Sequence, residues 1–188
     1  LQAYYRMGDA TVPAQDGTDG FLFDQTNPGV GPELVREDSD LYIPERWSSY
    51  STNVKTFPNG TAARFARPSS GGSQRGGFIN LATGSTVSAL TQNLETGCVY
   101  KLTFDFLTDD SDAIPQYYDG SSYTDLAAGS GTKIFYFSYS GNSSSFIAAN
   151  NLSADKFVQF SGLSVKKING NTAVINGATL VDNNVPRQ

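Results

Sequence analysis

The run Gly97-Cys-Val-Tyr-Lys-Leu-Thr-Phe-Asp-Phe-Leu107 carries the clearest pattern in the chain. Its alternate residues are apolar on one side (Tyr100, Leu102, Phe104 and Phe106) and polar on the other (Lys101, Thr103 and Asp105). Because successive side chains of a strand point to opposite faces of a sheet, this alternation predicts a half-buried β-strand.

Further short strand candidates lie on both sides of this run. Asn59-Gly60 separates two of them, residues 54–57 and 61–66, and predicts a hairpin. Residues 133–139 are apolar on both faces, and we expect that strand to lie centrally in a sheet. About eight to ten such strands and no convincing helix predict an all-β fold, an antiparallel two-sheet β-sandwich of the jelly-roll type.

The positions of glycine and proline suggest how the chain is divided. Two Pro and two Gly between positions 24 and 32 predict a turn-rich connection, and we place the main boundary there. Residues 1–32 form an N-terminal strand segment and linker, which either belongs to this unit or ends a preceding domain. Residues 33–170 form the sandwich, and residues 171–188 form a C-terminal tail. Within the sandwich, residues 108–132 show no regular pattern, and a loop of that length is usually functional or mobile.

The composition excludes several classes of function. The chain has no histidine and one cysteine, which rules out Ser-His-Asp catalysis, an intramolecular disulfide and cysteine-based zinc sites. A net charge of −5 with 13 scattered Lys and Arg argues against a nucleic-acid partner, and Arg64, Arg67 and Arg75 are expected on a solvated edge. No apolar run approaches the roughly 20 residues of a membrane span, so we expect no membrane insertion.

Five segments of the chain resemble a known family. They are Glu33-Leu-Val35, Trp47, residues 61–65, residues 94–106 and residues 163–168. Together they are similar to the galactose-binding-like jelly rolls of carbohydrate-binding modules. The resemblance implies a non-catalytic β-sandwich that binds glycans.

A second resemblance concerns the start of the chain. Leu1-Gln-Ala-Tyr-Tyr-Arg-Met-Gly-Asp9 resembles a segment of the laminin-G-like, concanavalin-type repeats in appendage and structural proteins of marine bacteriophages. In those proteins the segment leads into a jelly roll that ends in a run like residues 165–171. The resemblance implies a tail fibre, capsid fibre or decoration protein on the virion surface. Its expected partners are other virion structural proteins, further copies of itself in a homo-oligomer, and a glycan of the host surface.

Two groups of residues are candidate sites. Aromatic rings stack on the apolar side of sugars and carboxylates accept sugar hydroxyls, which favours Tyr117, Tyr118, Tyr123 and Asp119 for a glycan. The alternative is that these tyrosines fold back and cover the edge of the sandwich. Jelly rolls of the resembled kind often hold a structural calcium near the first strand, which implies Glu33, Asp38 and Asp40 as ligands. We expect no other cofactor.

Glycoside hydrolysis needs two acids at a defined separation, and no such pair is singled out by the sequence. We therefore expect a protein that is not an enzyme. Two other interpretations stay open: a purely architectural capsid decoration or cement protein that binds no sugar, and a carbohydrate-binding module of a secreted bacterial protein.

Overall fold

The computed structural model describes residues 11–13, 19–23, 29–81, 88–169 and 172–176. The strands are β1 (Thr11–Pro13), β2 (Asp19–Phe23), β3 (Gly29–Glu33), β4 (Ser48–Ser49), β5 (Val54–Thr56), β6 (Ala62–Ala66), β7 (Gly77–Asn80), β8 (Val99–Thr108), β9 (Ile114–Tyr118), β10 (Tyr123–Asp125), β11 (Gly131–Ser138), β12 (Phe146–Asn150), β13 (Phe157–Asn169) and β14 (Thr172–Asn176). A one-turn helix, α1 (Asp38–Leu41), and a 3₁₀ turn (Pro58–Gly60) complete the elements. No helix in these ranges is long and apolar enough to cross a bilayer.

Two antiparallel sheets form a sandwich, which confirms the predicted fold class. The five-stranded sheet has the order β10-β9-β12-β7-β4. The six-stranded sheet has the order β11-β8-β13-β6-β5, and β3 also pairs with β13. A separate three-stranded sheet has the order β1-β2-β14, so the strand in the C-terminal tail pairs with one in the N-terminal segment.

Strand β8 lies in the middle of the core, as its alternation predicts. Tyr100, Leu102, Phe104 and Phe106 are each at most 1% exposed. The rings of Phe104 and Phe106 meet Phe160 from the neighbouring β13, with centroids 5.7 Å and 5.3 Å from it, and the Tyr100 ring stacks on Phe137 at 5.6 Å. Burial of each such side chain contributes roughly 1.5–3 kcal/mol, so this strand anchors the fold.

Trp47 marks the other centre of the core. It is 1% exposed, and its ring lies 5.4 Å from Phe160 and 6.0 Å from Phe65. A buried indole needs a hydrogen-bond acceptor, and Nε1 donates to the Leu41 carbonyl at 3.0 Å. The short helix α1 is thereby tied to the inner surface of the sandwich.

The hairpin predicted at Asn59-Gly60 is confirmed. Both residues have positive φ angles, 55° and 67°, and β5 and β6 pair across the turn. Asparagine and glycine tolerate this left-handed backbone better than other residues do.

Two expectations about strands were wrong. Residues 108–132 are not a loop, because they contain β9, β10 and the start of β11. The strand at residues 133–139 does not lie centrally, because β11 stands at the end of the six-stranded order and Ile134 is 45% exposed. In the described part of the chain, the apolar residues on the outer face of β11 therefore do not indicate that this face is buried.

The division into domains stays a prediction. Strand β3 enters the six-stranded sheet at Gly29, four residues before the expected start of the sandwich at position 33. Residues 1–9, on which the second resemblance rests, lie outside the described residues.

Candidate functional site

Five aromatic rings lie side by side on the outer face of the five-stranded sheet. In spatial order they are Tyr123, Tyr118, Phe146, Phe78 and Tyr50, and all are partly exposed. Consecutive ring centroids are 4.6, 4.7, 5.2 and 5.1 Å apart. We call these five residues the aromatic arc. Consecutive rings are tilted to one another by 39°, 32°, 45° and 44°. A row of partly exposed rings on one sheet face exposes a contiguous apolar surface.

The register of the strands places these rings together. Tyr118 lies directly opposite Tyr123 on β10 and opposite Phe146 on β12, so three rings share one rung of the sheet. On β7 and β12 the residues that follow Phe78 and Phe146 point the other way: Ile79 and Ile147 are fully buried in the core. Strict alternation therefore divides one aromatic set for the surface from one apolar set for the interior.

Arg75 connects the two ends of the aromatic arc. Its guanidinium carbon lies 4.5 Å from the Tyr123 ring centroid and 5.7 Å from that of Tyr50, within the range of cation–π attraction. Its Nη1 also donates to the Tyr123 hydroxyl at 2.6 Å. Burial, with Tyr123 nearby, raises the pKa of the Tyr50 hydroxyl above its ordinary value, so this group stays neutral at physiological pH. The arc and Arg75 form a closed circuit of side chains.

A buried amide holds the segment that carries Arg75. Asn53 is 5% exposed, and its Nδ2 donates to the carbonyls of Ser73, Arg75 and Gly76 at 3.1, 2.6 and 3.2 Å. Its Oδ1 accepts the Ser73 N–H at 3.1 Å. These contacts fix the backbone around Arg75, and the contacts of the guanidinium with Tyr123 and Tyr50 then orient its side chain.

Gln116 adds a polar group to the same face, two residues from Tyr118 on β9. Its side chain is 5% exposed, and Nε2 donates to the Asp125 carboxylate at 2.6 Å. Its Oε1 has no hydrogen-bond partner among the described residues. A buried acceptor left unpaired costs about 1–3 kcal/mol. Because this oxygen has almost no accessible surface, an external donor reaches it only if the neighbouring side chains move.

A cleft of about 620 Å³ lies at one end of the sandwich, where four connections between strands meet. Its lining consists of Arg67, Gln74, Ser111, Asp112, Ile114, Ala128, Asn151, Leu152, Ser153 and Ala154. Asp112 is the one carboxylate in this set, so the lining does not supply the two acids that glycoside hydrolysis needs. Arg67 Nη1 donates to the Leu152 carbonyl at 2.7 Å, which ties two of the connections together.

Beside the cleft, Asp110 holds the loop before β9. Its carboxylate accepts the N–H groups of Ser153 at 2.7 Å and Asp112 at 3.1 Å. Burial alone would raise the pKa of this carboxyl, but these hydrogen bonds outweigh it and bring the pKa below its ordinary value. The contacts of Asp110 are thus those of a structural residue.

The structure separates the tyrosines predicted for glycan binding. Tyr118 and Tyr123 are in the aromatic arc, whereas Tyr117 points into the core and is 4% exposed. The Tyr117 ring lies 4.7 Å from that of Phe137, and its hydroxyl contacts Ser145 Oγ at 3.0 Å. Burial raises the pKa of Tyr117 above its ordinary value. The expectation that it is exposed was wrong, because neighbours on a strand face opposite sides.

Asp119 belongs to the turn between β9 and β10. Its Oδ1 accepts the N–H groups of Ser121 and Ser122 at 2.7 and 2.8 Å, and Ser122 Oγ donates to Oδ2 at 3.2 Å. Burial would raise its pKa, but these bonds outweigh the effect and lower it. Asp119 therefore fixes the hairpin that presents Tyr118 and Tyr123; its contact with a glycan stays a prediction.

The three residues suggested for calcium are not brought together. Glu33 Oε1 accepts the N–H groups of Leu34, Val35 and Val165, and its Oε2 accepts Ser164 Oγ–H. Asp40 is paired with Arg36 at 2.8 Å and Arg46 at 2.7 Å, and the hydrogen bonds from Arg46 and Arg36 lower the pKa of its carboxyl. Asp38 opens helix α1. No group of three or more potential ligands among the described residues is placed to hold a metal ion.

Sequence reasoning missed five members of this face: Tyr50, Phe78, Phe146, Arg75 and Gln116. Arg64, Arg67 and Arg75 do not form one solvated edge, because Arg64 stacks on Phe157 at 4.1 Å, Arg67 lines the cleft and Arg75 closes the arc. The available signal was an aromatic residue next to a buried aliphatic one in short strands, as in Phe78-Ile79 and Phe146-Ile147. What the sequence lacked was the strand order that makes them neighbours.

No family model and no curated protein matches the chain. Several solved structures do. One is the structure of the CBM22-1-GH10 modules of Clostridium thermocellum endo-1,4-beta-D-xylanase 10B, complexed with xylohexaose. It matches 76% of this chain with 16% sequence identity and a TM-score of 0.42, and the match covers 30% of that chain. The CBM22-1 xylan-binding domain of Paenibacillus barcinonensis Xyn10C shares 8% identity and a TM-score of 0.45, over 77% of this chain and 98% of that one. The N-terminal cellulose-binding domain of Cellulomonas fimi beta-1,4-glucanase C shares 15% identity and a TM-score of 0.38, over 75% and 93%.

Proposed function

We propose that the protein is a non-catalytic glycan-binding β-sandwich, and that the aromatic arc is its binding platform. The observation that carries this proposal is the row of five partly exposed rings on one sheet face, with centroid spacings of 4.6 to 5.2 Å. Rings in such a row offer several stacking positions to consecutive sugars of a chain.

The physical basis is the two-sided chemistry of sugars. A pyranose has an apolar C–H face, and stacking it on an aromatic ring removes apolar surface of both partners from water. The hydroxyls at the sugar's edge need hydrogen bonds at the same time. The Arg75 guanidinium lies against the rings and supplies N–H donors.

We further propose that the protein is carried on a virion surface, as a tail fibre, capsid fibre or decoration protein that attaches to host glycans. This part rests on the resemblance of residues 1–9 and 165–171 to phage structural proteins. One shallow aromatic site binds weakly, and many copies on a particle raise the effective concentration of sites. A homo-oligomer docked on other virion proteins would provide those copies.

Glycan binding is tested with a glycan array followed by calorimetry on the best ligand. We expect Tyr118→Ala to weaken binding roughly 5- to 30-fold, which corresponds to the loss of about 1–2 kcal/mol of apolar contact. Phe157→Ala is the matched control, because Phe157 is a partly exposed ring on the outer face of the other sheet. Loss of binding in both variants, or in neither, contradicts the assignment of the site.

An array on which the wild-type protein binds no glycan would leave the architectural interpretation, a decoration protein that contacts only its neighbours. Electron microscopy of a particle that carries the protein then decides between the two. An aromatic arc facing solvent supports attachment, and an arc covered by a neighbouring subunit supports the architectural role.

A further inference from the structure

We propose that the aromatic arc takes an acidic sugar, and that Arg75 binds the sugar's carboxylate. This inference rests on the proposed function, because it names the class of glycan that the arc recognises. It concerns Arg75, whose guanidinium lies against two rings of the arc, and the carboxylate that such a guanidinium binds.

Arg75 has a positive charge that no carboxylate of the described residues neutralises. The ion pairs in this part of the chain join Asp40 to Arg36 and Arg46, Asp109 to Lys156, and Glu95 to Lys167. The groups around Arg75 are instead the hydroxyls and rings of Tyr123 and Tyr50. Other described cations, Arg64 among them, also lack a carboxylate partner. What distinguishes Arg75 is that its charge lies against two rings of the aromatic arc, where a ligand stacked on the arc would meet it.

The geometry of the guanidinium suits a carboxylate on a stacked sugar. A guanidinium has five N–H donors in one plane, and the Tyr123 hydroxyl accepts one of them at 2.6 Å. A carboxylate accepts two parallel N–H groups from such a fork, and these charge-assisted bonds are stronger than those to a neutral hydroxyl. The rings on either side of Arg75 would hold the sugar ring while the fork holds its acid.

The segment around Arg75 is fixed before any ligand arrives. The amide of Asn53 donates to three carbonyls of residues 73–76, and Ser73 Oγ accepts the Arg75 N–H at 3.1 Å. Ordering a long arginine side chain is costly, and here the cation–π contacts with two tyrosines already restrict it. A positively charged donor held in place in this way selects among ligands by their charge.

The test compares trigalacturonate with the same trisaccharide in which every carboxyl is methyl-esterified, which removes the charges and adds one methyl group per sugar. Calorimetry with wild-type protein should give about 10- to 100-fold tighter binding of the acid, the range expected for hydrogen bonds to a charged group. Arg75→Gln should abolish this preference, and Arg75→Lys, which keeps the charge but loses the fork, should retain part of it. Arg64→Gln is the matched control: Arg64 also stacks on an aromatic ring, at 4.1 Å from Phe157, but on the other sheet. It should keep the full preference, and circular dichroism should show that all variants fold.

Equal affinity of the wild-type protein for acid and ester overturns the inference, and so does an Arg75→Gln variant that keeps the preference. A third probe, a sulfated galactose trisaccharide, separates the two kinds of anionic sugar. Tighter binding of the sulfated probe than of trigalacturonate, through Arg75, overturns the carboxylate assignment. If neutral glycans bind and Tyr118→Ala removes that binding while charge has no effect, the inference fails and the proposed function stands. If Tyr118→Ala changes the binding of no glycan, both fail.

Discussion

Asn53 shows how one buried side chain controls a surface. Its amide makes four hydrogen bonds to the backbone of residues 73–76, the segment from which Arg75 projects. The amide nitrogen faces three carbonyl oxygens, so only a donor satisfies that position. The contacts of Arg75 with Tyr123 and Tyr50 at the surface therefore depend on the buried Asn53.

Asn53→Asp keeps the size of the side chain and replaces the donor by a carboxylate oxygen that faces the three carbonyls. We expect the free energy of unfolding to fall by at least about 1–3 kcal/mol, since buried partners are left unsatisfied and a charge is added. Urea denaturation measures this, with the exposed Asn93→Asp as control. Equal stability of the two variants would show that the amide does not hold the segment.

For single residues, the sequence predicted only part of the candidate site. It identified Tyr118 and Tyr123 as surface aromatics but included Tyr117, because the strand that separates them was not recognised. Nothing in the sequence distinguished Arg75 from Arg64 or Arg67, since the surroundings of each arginine come from segments far away in the chain. A residue's exposure follows from its strand, but its partners follow from the strand order.

Among the elements, β7 is the strand whose position depends on a close approach. A Cβ at Gly77 would overlap the ring of the buried Phe65, and the next residue, Phe78, is a member of the aromatic arc. The lack of a side chain at Gly77 therefore lets the five-stranded sheet pack closely on β6. A shift in the register of β7 by one residue would place Phe78 in the core and Ile79 on the outer face.

Gly77→Ala should lower the free energy of unfolding by about 1–3 kcal/mol through overpacking against Phe65. Combining it with Phe65→Leu tests the cause. The double variant should lose less stability than the sum of the two single variants, because the ring that collides with the new methyl group is absent. Strictly additive losses, measured by thermal or urea unfolding, would contradict a direct contact.

Elements with local signals were the predictable ones. β8 has strict alternation and the β5–β6 hairpin has Asn-Gly, so both followed from the sequence. β9 was hidden because Pro115 interrupts it, and proline usually argues against a strand. β11 has apolar residues on both faces, which is typical of central strands, yet its outer face is exposed at Ile134.

For the whole molecule, three of the described aspartates make stability depend on pH. Hydrogen bonds hold the pKa values of Asp40, Asp110 and Asp119 below their ordinary value. The unfolded chain then binds more protons than the folded protein in acid. Their contribution to stability is complete above the unfolded aspartate pKa of about 3.9 and is lost as the pH falls through the lower folded values.

Asp110→Asn should reduce this dependence. We expect the free energy of unfolding to fall less steeply between about pH 5 and pH 2 in the variant than in the wild-type protein. Urea titrations at several pH values measure the slope. Asp155→Asn removes the same formal charge from the adjacent β12–β13 connection and serves as the comparison. Identical slopes in the wild-type protein and Asp110→Asn would show that Asp110 does not contribute.

The chain enters and leaves the sandwich at two strands that lie side by side. Gly29 at the start of β3 is paired with Asn169 at the end of β13. A pulling force applied between these two residues would act on one rung of the β3–β13 ladder at a time, so the strands would unzip and not shear. The aromatic arc lies on the opposite sheet, outside this line of load. A tether at this end of the sandwich would therefore transmit tension without passing it through the aromatic arc.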